Sequence, residues 1–363
     1  MPFVAEPNFQ HGGPSHTGVL LINLGTPDAP TVPAVRRYLA EFLSDPRVVE
    51  IPSLLWWPIL HGVILRSRPA RSAQLYASIW TDEGSPLLAQ SRRVANRLQG
   101  ELGQRGQPMA VRLAMRYGNP SVAAGLDALK ADGATRILLL PLYPQYAAAT
   151  TASALDAVAA WGARRRWLPE FRAINHYHDD PGYIAALAAS VREHWMRDGK
   201  ADVLVMSFHG LPARSLDLGD PYHCECHKTA RLLAGSLGLA DKDYRVTFQS
   251  RFGRAKWLQP YTEPSVQALA REGHARIDVV CPGFATDCLE TLEEINQEAR
   301  EAFMHAGGAE FHYLDCLNDQ HEWIAALAAI ALQHMGGWPT QTVADDQALA
   351  ASRERALSRG AAS

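Results

Sequence analysis

Cysteine is scarce in this chain of 363 residues: five, all in the second half, at positions 224, 226, 281, 288 and 316. An odd thiol count in a large chain argues against a disulfide framework and for a reducing compartment. Surplus charge is also missing, with Lys+Arg 35 against Asp+Glu 38 and a net charge of -3, so nucleic-acid binding by bulk electrostatics is not expected. The longest apolar stretch, Ile51 to Leu65, contains Pro52 and Pro58 and is too short and broken to span a bilayer. Met1-Pro2-Phe3-Val4-Ala5-Glu6 lacks a basic region followed by an apolar core, so no signal peptide is expected and the location is read as cytoplasmic. No GxGxxG follows a strand and no GxxxxGK occurs, so a nucleotide is not the implied ligand.

What is present is globular composition, 47% hydrophobic and 20% charged, at a length suited to two domains. Strands are expected at Gly18–Leu24, Met109–Met115, Arg136–Leu142 and Phe171–His176, then at Asp202–Phe208, Tyr244–Gln249, Arg276–Cys281 and Glu310–Asp315. Continuous apolar runs such as Ile137-Leu138-Leu139-Leu140 and Val203-Leu204-Val205-Met206 read as strands buried on both faces, hence parallel sheets covered by helices. The fold class is therefore α/β, with two similar doubly wound, Rossmann-like domains of four parallel strands at 16–182 and 183–318. The first carries an insertion at about 44–108. A C-terminal helix at 319–335, opened by an Asp319/Glu322 capping box, packs back on the core, and 338–363 reads as a frayed tail.

Ligands of open parallel sheets bind where the carboxyl ends of strands converge. Those ends carry Asn23-Leu24-Gly25-Thr26, Arg116-Tyr117, Tyr143-Pro144-Gln145-Tyr146, Ser207-Phe208-His209-Gly210, Gln249-Ser250-Arg251 and Cys281-Pro282-Gly283-Phe284. Such a crevice suits a flat, largely apolar ligand with a few anionic groups. His209 either caps its strand or serves as a base or metal ligand near neutral pH. At about 100° per residue Glu290, Glu294 and Glu298 share one helix face. They are either a capping box with Asp287 and a solvated face, or carboxylates entering the crevice to relay protons or hold a divalent cation. His223-Cys224-Glu225-Cys226-His227 reads as reduced thiols at a helix start in preference to a metal site, because C-x-C is shorter than usual zinc spacing. The Leu54–Leu65 segment, followed by Arg66 and Arg68, is either a buried helix or a hydrophobic lip touching membrane.

The motifs Leu21-Ile22-Asn23-Leu24-Gly25-Thr26-Pro27, Tyr143-Pro144-Gln145-Tyr146, Ser207–Pro212, Gly219-Asp220-Pro221-Tyr222, Phe248–Gly253 with Trp257, and Cys281–Phe284 through Glu290–Glu294 occur in one order. By them, residues 17–332 closely resemble the ferrochelatases, which insert ferrous iron into a porphyrin to make haem. The resemblance implies His209 and Glu290 as the catalytic, metal-handling pair and Glu294 and Glu298 as a proton or metal relay on a helix with a π-type widening. It also implies Leu24, Arg116, Tyr117, Tyr143 and Trp257 around the macrocycle, with Ser85 and the basic lip meeting propionates. Ferrous iron is then a substrate and no cofactor is permanently bound. Some relatives hold an iron–sulfur cluster, but here Ala148 stands at its first ligand position and no cysteine follows Cys316, so no cluster is expected. Position 288, histidine in some relatives, is Cys288. A monomer, peripheral to the inner membrane face, is expected. The nearest rivals are a chelatase for coproporphyrin or cobalt and a non-catalytic haem-binding protein.

Overall fold

The computed structural model describes residues 3–4, 11–251, 253, 255–340 and 345–361. Of the features read above, Met1, Pro2, Ala5, Glu6, Phe252 and tail positions 341–344 and 362–363 lie outside the described residues. The first sheet holds β1 (His16–Thr26), β2 (Ala110–Gly118), β3 (Ala134–Pro141) and β4 (Glu170–Ala173) in the order 2-1-3-4. The second holds β5 (Val203–His209), β6 (Tyr244–Gln249), β7 (Arg276–Val280) and β8 (Glu310–Tyr313) in the order 6-5-7-8, and every pairing is parallel. Each expected strand is found within a few residues of its anticipated ends.

Alternation decides which core each strand residue joins. Val19 and Leu21 of β1 face one core, while Leu20 and Ile22 face another behind the sheet. The first core also contains Leu204, Met206 and Phe208 of β5, so the two sheets share it.

Between β1 and β2 lie α1 (Val32–Leu43), α2 (Ser53–Ile59), a π turn (Leu60–Ile64), α3 (Leu65–Ile79) and α4 (Pro86–Gln104). α4, read from sequence as part of the insertion, is instead a crossover helix: Val94, Leu98 and Leu102 enter the shared core beneath β1 and β2. The first half continues with α5 (Val122–Ala131), α6 (Ser153–Gly162) and α7 (Pro181–Asp198). The second half holds α8 (Ala213–Asp217), α9 (Tyr222–Leu237), α10 (Thr262–Arg271), α11 (Leu289–Leu292) and α12 (Arg300–His305). α13 (His321–His334) then packs on α4 and α7.

Two local expectations fail. The N-cap of α13 is Gln320 with no side-chain hydrogen bond, and Asp319 pairs with Arg97 at 2.8 Å, so the anticipated capping box does not form. The stretch read as a frayed tail is ordered over its described parts. Trp338 is buried and donates to Glu170 at 2.8 Å, and α14 (Asp346–Ser358) follows, its first turn capped by Asp345 accepting from Ala348 N–H at 3.0 Å. Ala, Leu, Arg and Glu favour helix intrinsically, and an Asp cap fixes its start, although α14 buries nothing.

Candidate active site

His209 ends β5 and lies in register with Gln249 on β6. Its half-buried ring places Nδ1 2.6 Å from the Gly210 carbonyl oxygen. A carbonyl only accepts, so Nδ1 carries the proton and Nε2 is the basic nitrogen of the neutral ring. Residue 210 must be glycine for steric reasons: a Cβ there would lie 2.6 Å from the Gln249 carbonyl oxygen and 3.2 Å from the Trp257 ring. The side-chain amide of Gln249 donates to the Glu290 carbonyl at 2.6 Å. The strand neighbour of His209 is thus fastened to the first turn of the helix that carries the carboxylates.

That helix starts on groups other than Glu290. The Thr291 hydroxyl accepts the Cys288 N–H at 3.0 Å and donates to Asp287 at 3.0 Å. Buried Asp287 also accepts from Asn318 at 2.6 Å and Tyr313 at 2.5 Å. The Asp287/Glu290 capping box allowed by the sequence is therefore replaced by a Thr291–Asp287 arrangement, and the half-buried Glu290 carboxylate takes no part in it.

After Leu292 the chain widens into a π turn over Glu294–Ala299, in which Glu298 N–H reaches the Glu293 carbonyl at 3.0 Å. The widening buries Glu293 and exposes Glu298. Burial, with Glu298 alongside, pushes the Glu293 carboxyl up to about 7. Burial and the neighbouring Glu290 likewise push Glu294 up to about 7, against hydrogen bonds from Ser250 and Gln249 that favour its ionised form. Glu294 and Glu298 line a cavity of about 310 Å³ with Ser250 and Arg251, and a second of about 590 Å³ continues past Glu298 to Arg71 and Glu301. A cleft of about 510 Å³ bounded by His16, Ala110 and Ala134 lies at the opposite, amino ends of β1–β3.

The first half closes over these groups. Asn23, near the end of β1, donates to Ser91 and to Thr286, each at 2.9 Å, and so ties the first sheet to the loop before Glu290. Leu24 and Leu289 pack on one cluster with Tyr38 of α1 and Tyr76 of α3, and both tyrosines lie within electrostatic reach of Glu290. Arg116 and Tyr117 are held inward: the guanidinium reaches Asp45 at 2.5 Å and the phenol donates to the same carboxylate at 2.8 Å, with Ser153 between them. Tyr117 is 0% exposed. Ser85 is also buried, accepting from Thr26 at 2.8 Å. Tyr143 and Trp257 differ, because the Tyr143 hydroxyl and the Trp257 indole N–H are buried without a hydrogen-bond partner among the described residues. Both can donate to a guest.

Several residues escaped the sequence reading. Gln249, Ser250 and Glu293 lay inside quoted motifs yet were assigned nothing, and Tyr38 and Tyr76 gave no local signal because only tertiary contact brings them near Glu290. In the His223–His227 cluster, Cys224 is exposed while Cys226 is buried in the core. Residues two apart on a helix point to different sides, so these thiols do not form a pair. The Leu54–Leu65 segment is mostly solvent-facing, with Leu54 89% and Trp57 64% exposed, which departs from the buried-helix alternative. Among the described residues no helix is long and apolar enough to cross a membrane.

Comparison with known proteins agrees with this arrangement. A family model described as Ferrochelatase matches residues 16–335. A ferrochelatase of Methylibium petroleiphilum is 66% identical over 361 residues, covering 99% of each chain. Another, from Polaromonas sp., is 64% identical over 365 residues, covering 99% of this chain and 100% of the relative. SirB from Bacillus subtilis, solved with Fe3+, superposes with a TM-score of 0.54 at 13% identity over 90% of this chain and 98% of its own. At that identity the likeness is one of fold, the two-sheet chelatase architecture. The chain belongs to the ferrochelatase family, the enzymes that insert ferrous iron into a porphyrin.

Proposed function

We propose that this chain inserts ferrous iron into protoporphyrin IX, releasing two protons to give protohaem, and that His209 and Glu290 carry the chemistry. The observation that supports this reading most is the Gln249 bridge, which couples the strand neighbour of the imidazole to the carboxylate helix at one sheet edge. Metal insertion requires removal of two pyrrole N–H protons and stripping of water from the metal. A planar porphyrin keeps its nitrogen lone pairs in the ring plane, and a pocket that favours a saddled ring exposes them at the expense of binding energy from the periphery.

In this reading His209 Nε2 accepts pyrrole protons. Glu290 faces the metal or the second proton, and Glu294 and Glu298 connect it to solvent along the cavities beside them. A carboxyl near 7 both holds and releases a proton at neutral pH, which is what a relay needs. A mixed imidazole–carboxylate pair holds ferrous iron weakly enough to surrender it to the ring. Leu24, Tyr143 and Trp257 are assigned to the macrocycle, Arg116 and Tyr117 to the pocket wall behind it, and Ser85 with Arg66 and Arg68 to the propionates.

The exposed Leu54, Leu55, Trp57 and Val63, followed by basic residues, form the lip by which this otherwise cytoplasmic monomer touches a membrane surface. With Ala148 at the position where some relatives ligate iron–sulfur, the chain is assigned no cluster. Iron and sulfide analysis of anaerobically purified protein is expected to find neither.

The deciding experiment is anaerobic incubation with Fe2+ and either protoporphyrin or coproporphyrin, following the absorbance change of metallation. Turnover is expected with protoporphyrin. His209→Ala is expected to lose insertion by about 10²–10⁴-fold while still binding porphyrin. Retained turnover removes His209 from the mechanism, and haem binding without any metallation favours a haem carrier.

A further inference from the structure

We propose that His176, His178 and Glu225 form a second cation site, for a divalent first-row transition metal, outside the porphyrin crevice. His176 and His178 lie in the loop between β4 and α7, and Glu225 in the first turn of α9. Their ligand atoms all lie within 4.8 Å of one another. Nδ1 of His176 is 2.6 Å from one carboxylate oxygen of Glu225, and Nδ1 of His178 is 3.3 Å from the other.

Three features distinguish this cluster from an ordinary ion pair. Glu225 is only 8% exposed, yet among the described residues its ion-pair partners are the two imidazoles, with no lysine or arginine opposite it. The nearby Lys228 is turned to Asp179 at 2.5 Å. The carboxylate has an outer support: Tyr146 N–H donates to Glu225 at 2.7 Å. Hydrogen bonds behind a ligating carboxylate orient it in this way. His176 is half exposed, so the set of two histidines and one carboxylate keeps an open side for water.

A second such group, His194, Asp278 and His312, shows what a filled counterpart looks like. There the Arg276 guanidinium stands 3.0 Å from His312 Nδ1 and 3.7 Å from Asp278 Oδ1, and Trp195 donates to Asp278 at 2.8 Å. The cation position is already taken by a side chain. At Glu225 it is not.

Imidazole and carboxylate ligands suit Zn2+ and Co2+, and the usual affinity order places Zn2+ above Fe2+ at a fixed site. A bound ion would tie the β4–α7 loop to α9 and, through Tyr146, to the loop that starts at Tyr143. The test uses full-length protein carrying His209→Ala and Glu290→Gln, so that the porphyrin centre loses its imidazole and the carboxylate paired with it, titrated with Zn2+ alone by calorimetry. One equivalent is expected to bind. Adding His176→Ala, at a half-exposed position where folding is safe, is expected to weaken that binding about tenfold or more. Adding His227→Ala is expected to leave it unchanged. Co2+ is expected to give ligand-field bands that His176→Ala alters. Unchanged Zn2+ affinity in His176→Ala, or loss of binding in His227→Ala, overturns the proposal.

Discussion

The two halves of the molecule repeat more than their strand order. Phe171–Leu187 aligns without a gap with Phe311–Leu327, and both segments run from the fourth strand of a sheet, through a loop, into a helix that continues Ile-Ala-Ala-Leu. The equivalent residues Tyr183 and Trp323 meet at the centre of the shared core with ring centroids 5.5 Å apart. Within the loops the halves diverge. Asn318 donates to Asp287 and accepts the Asp287 N–H at 2.9 Å, bracing the turn before Glu290. At the matching position stands His178, facing the carboxylate of Glu225. Each loop therefore meets one buried carboxylate, and both carboxylates are supplied by the second half. At the second-half loop neutral donors satisfy it, whereas at the first-half loop two imidazoles and the Tyr146 N–H do. A duplicated scaffold has been given a rigid brace on the side of the chemistry and a titratable cluster on the other.

Substitutions at matched places can break this contrast. Each half has a π turn beyond its third strand, Ala148–Ala152 in one and Glu294–Ala299 in the other. Just ahead of the second turn, Glu290→Gln is expected to lower metallation by about 10²–10⁴-fold with an unchanged melting temperature. Thr150→Ala in the first turn is expected to leave both intact. Equal losses would show that the two turns are functionally alike.

Next in size is the brace. Asp287→Ala leaves the Thr291, Asn318 and Tyr313 donors buried and unsatisfied, and is expected to cost about 3 kcal/mol in urea unfolding. Glu225→Gln retains shape and hydrogen bonding and is expected to cost no more than about 1 kcal/mol.

Smaller still is a pH effect at Glu294. Its folded carboxyl, near 7, lies above the unfolded value, so the native state binds the proton more tightly. That stabilisation is fully present below the unfolded value and is lost as pH rises through about 7. Glu294→Gln is therefore expected to raise stability relative to the parent at pH ~8 by about 1–2 kcal/mol, and to bring little or no gain at pH ~5, by thermal unfolding at both values. A pH-independent difference would mean that Glu294 ionises normally. The least effect on folding is expected at the lip. Trp57→Ser should change stability by less than about 0.5 kcal/mol while weakening cosedimentation with anionic lipid vesicles.

Much of this was legible in the amino-acid sequence because burial on both faces leaves a direct signature. Ile137–Leu140 and Val203–Met206 could only be interior strands, and the parallel sheets followed. His209 and Glu290 were singled out through strand-end position and family motifs together; neither residue stands out by spacing alone. The acidic helix was harder. The resemblance implied a π-type widening, but a period of about 100° per residue cannot say which side chains it turns, so the burial of Glu293 and the exposure of Glu298 were hidden. Gln249 was missed because its role is a contact with Glu290, 41 residues on. Tyr38 and Tyr76 were missed for the same reason. The tail misled in the opposite direction: its Ala, Ser and Arg content looked disordered, yet an Asp cap and good helix formers suffice for α14.

The shared core has a mechanical consequence. Clamshell proteins open because few contacts cross between their lobes. Here Leu138 and Leu140 lie in the same apolar interior as Leu204, Met206 and Phe208, with α7, α9 and α13 contributing to it. Prising the sheets apart would expose that interior to water. A broad, stiff guest therefore meets a frame behind His209 that is fixed by this core, and the exposed apolar surface it can reach without opening that core lies on the α2 side, at Leu54 and Trp57.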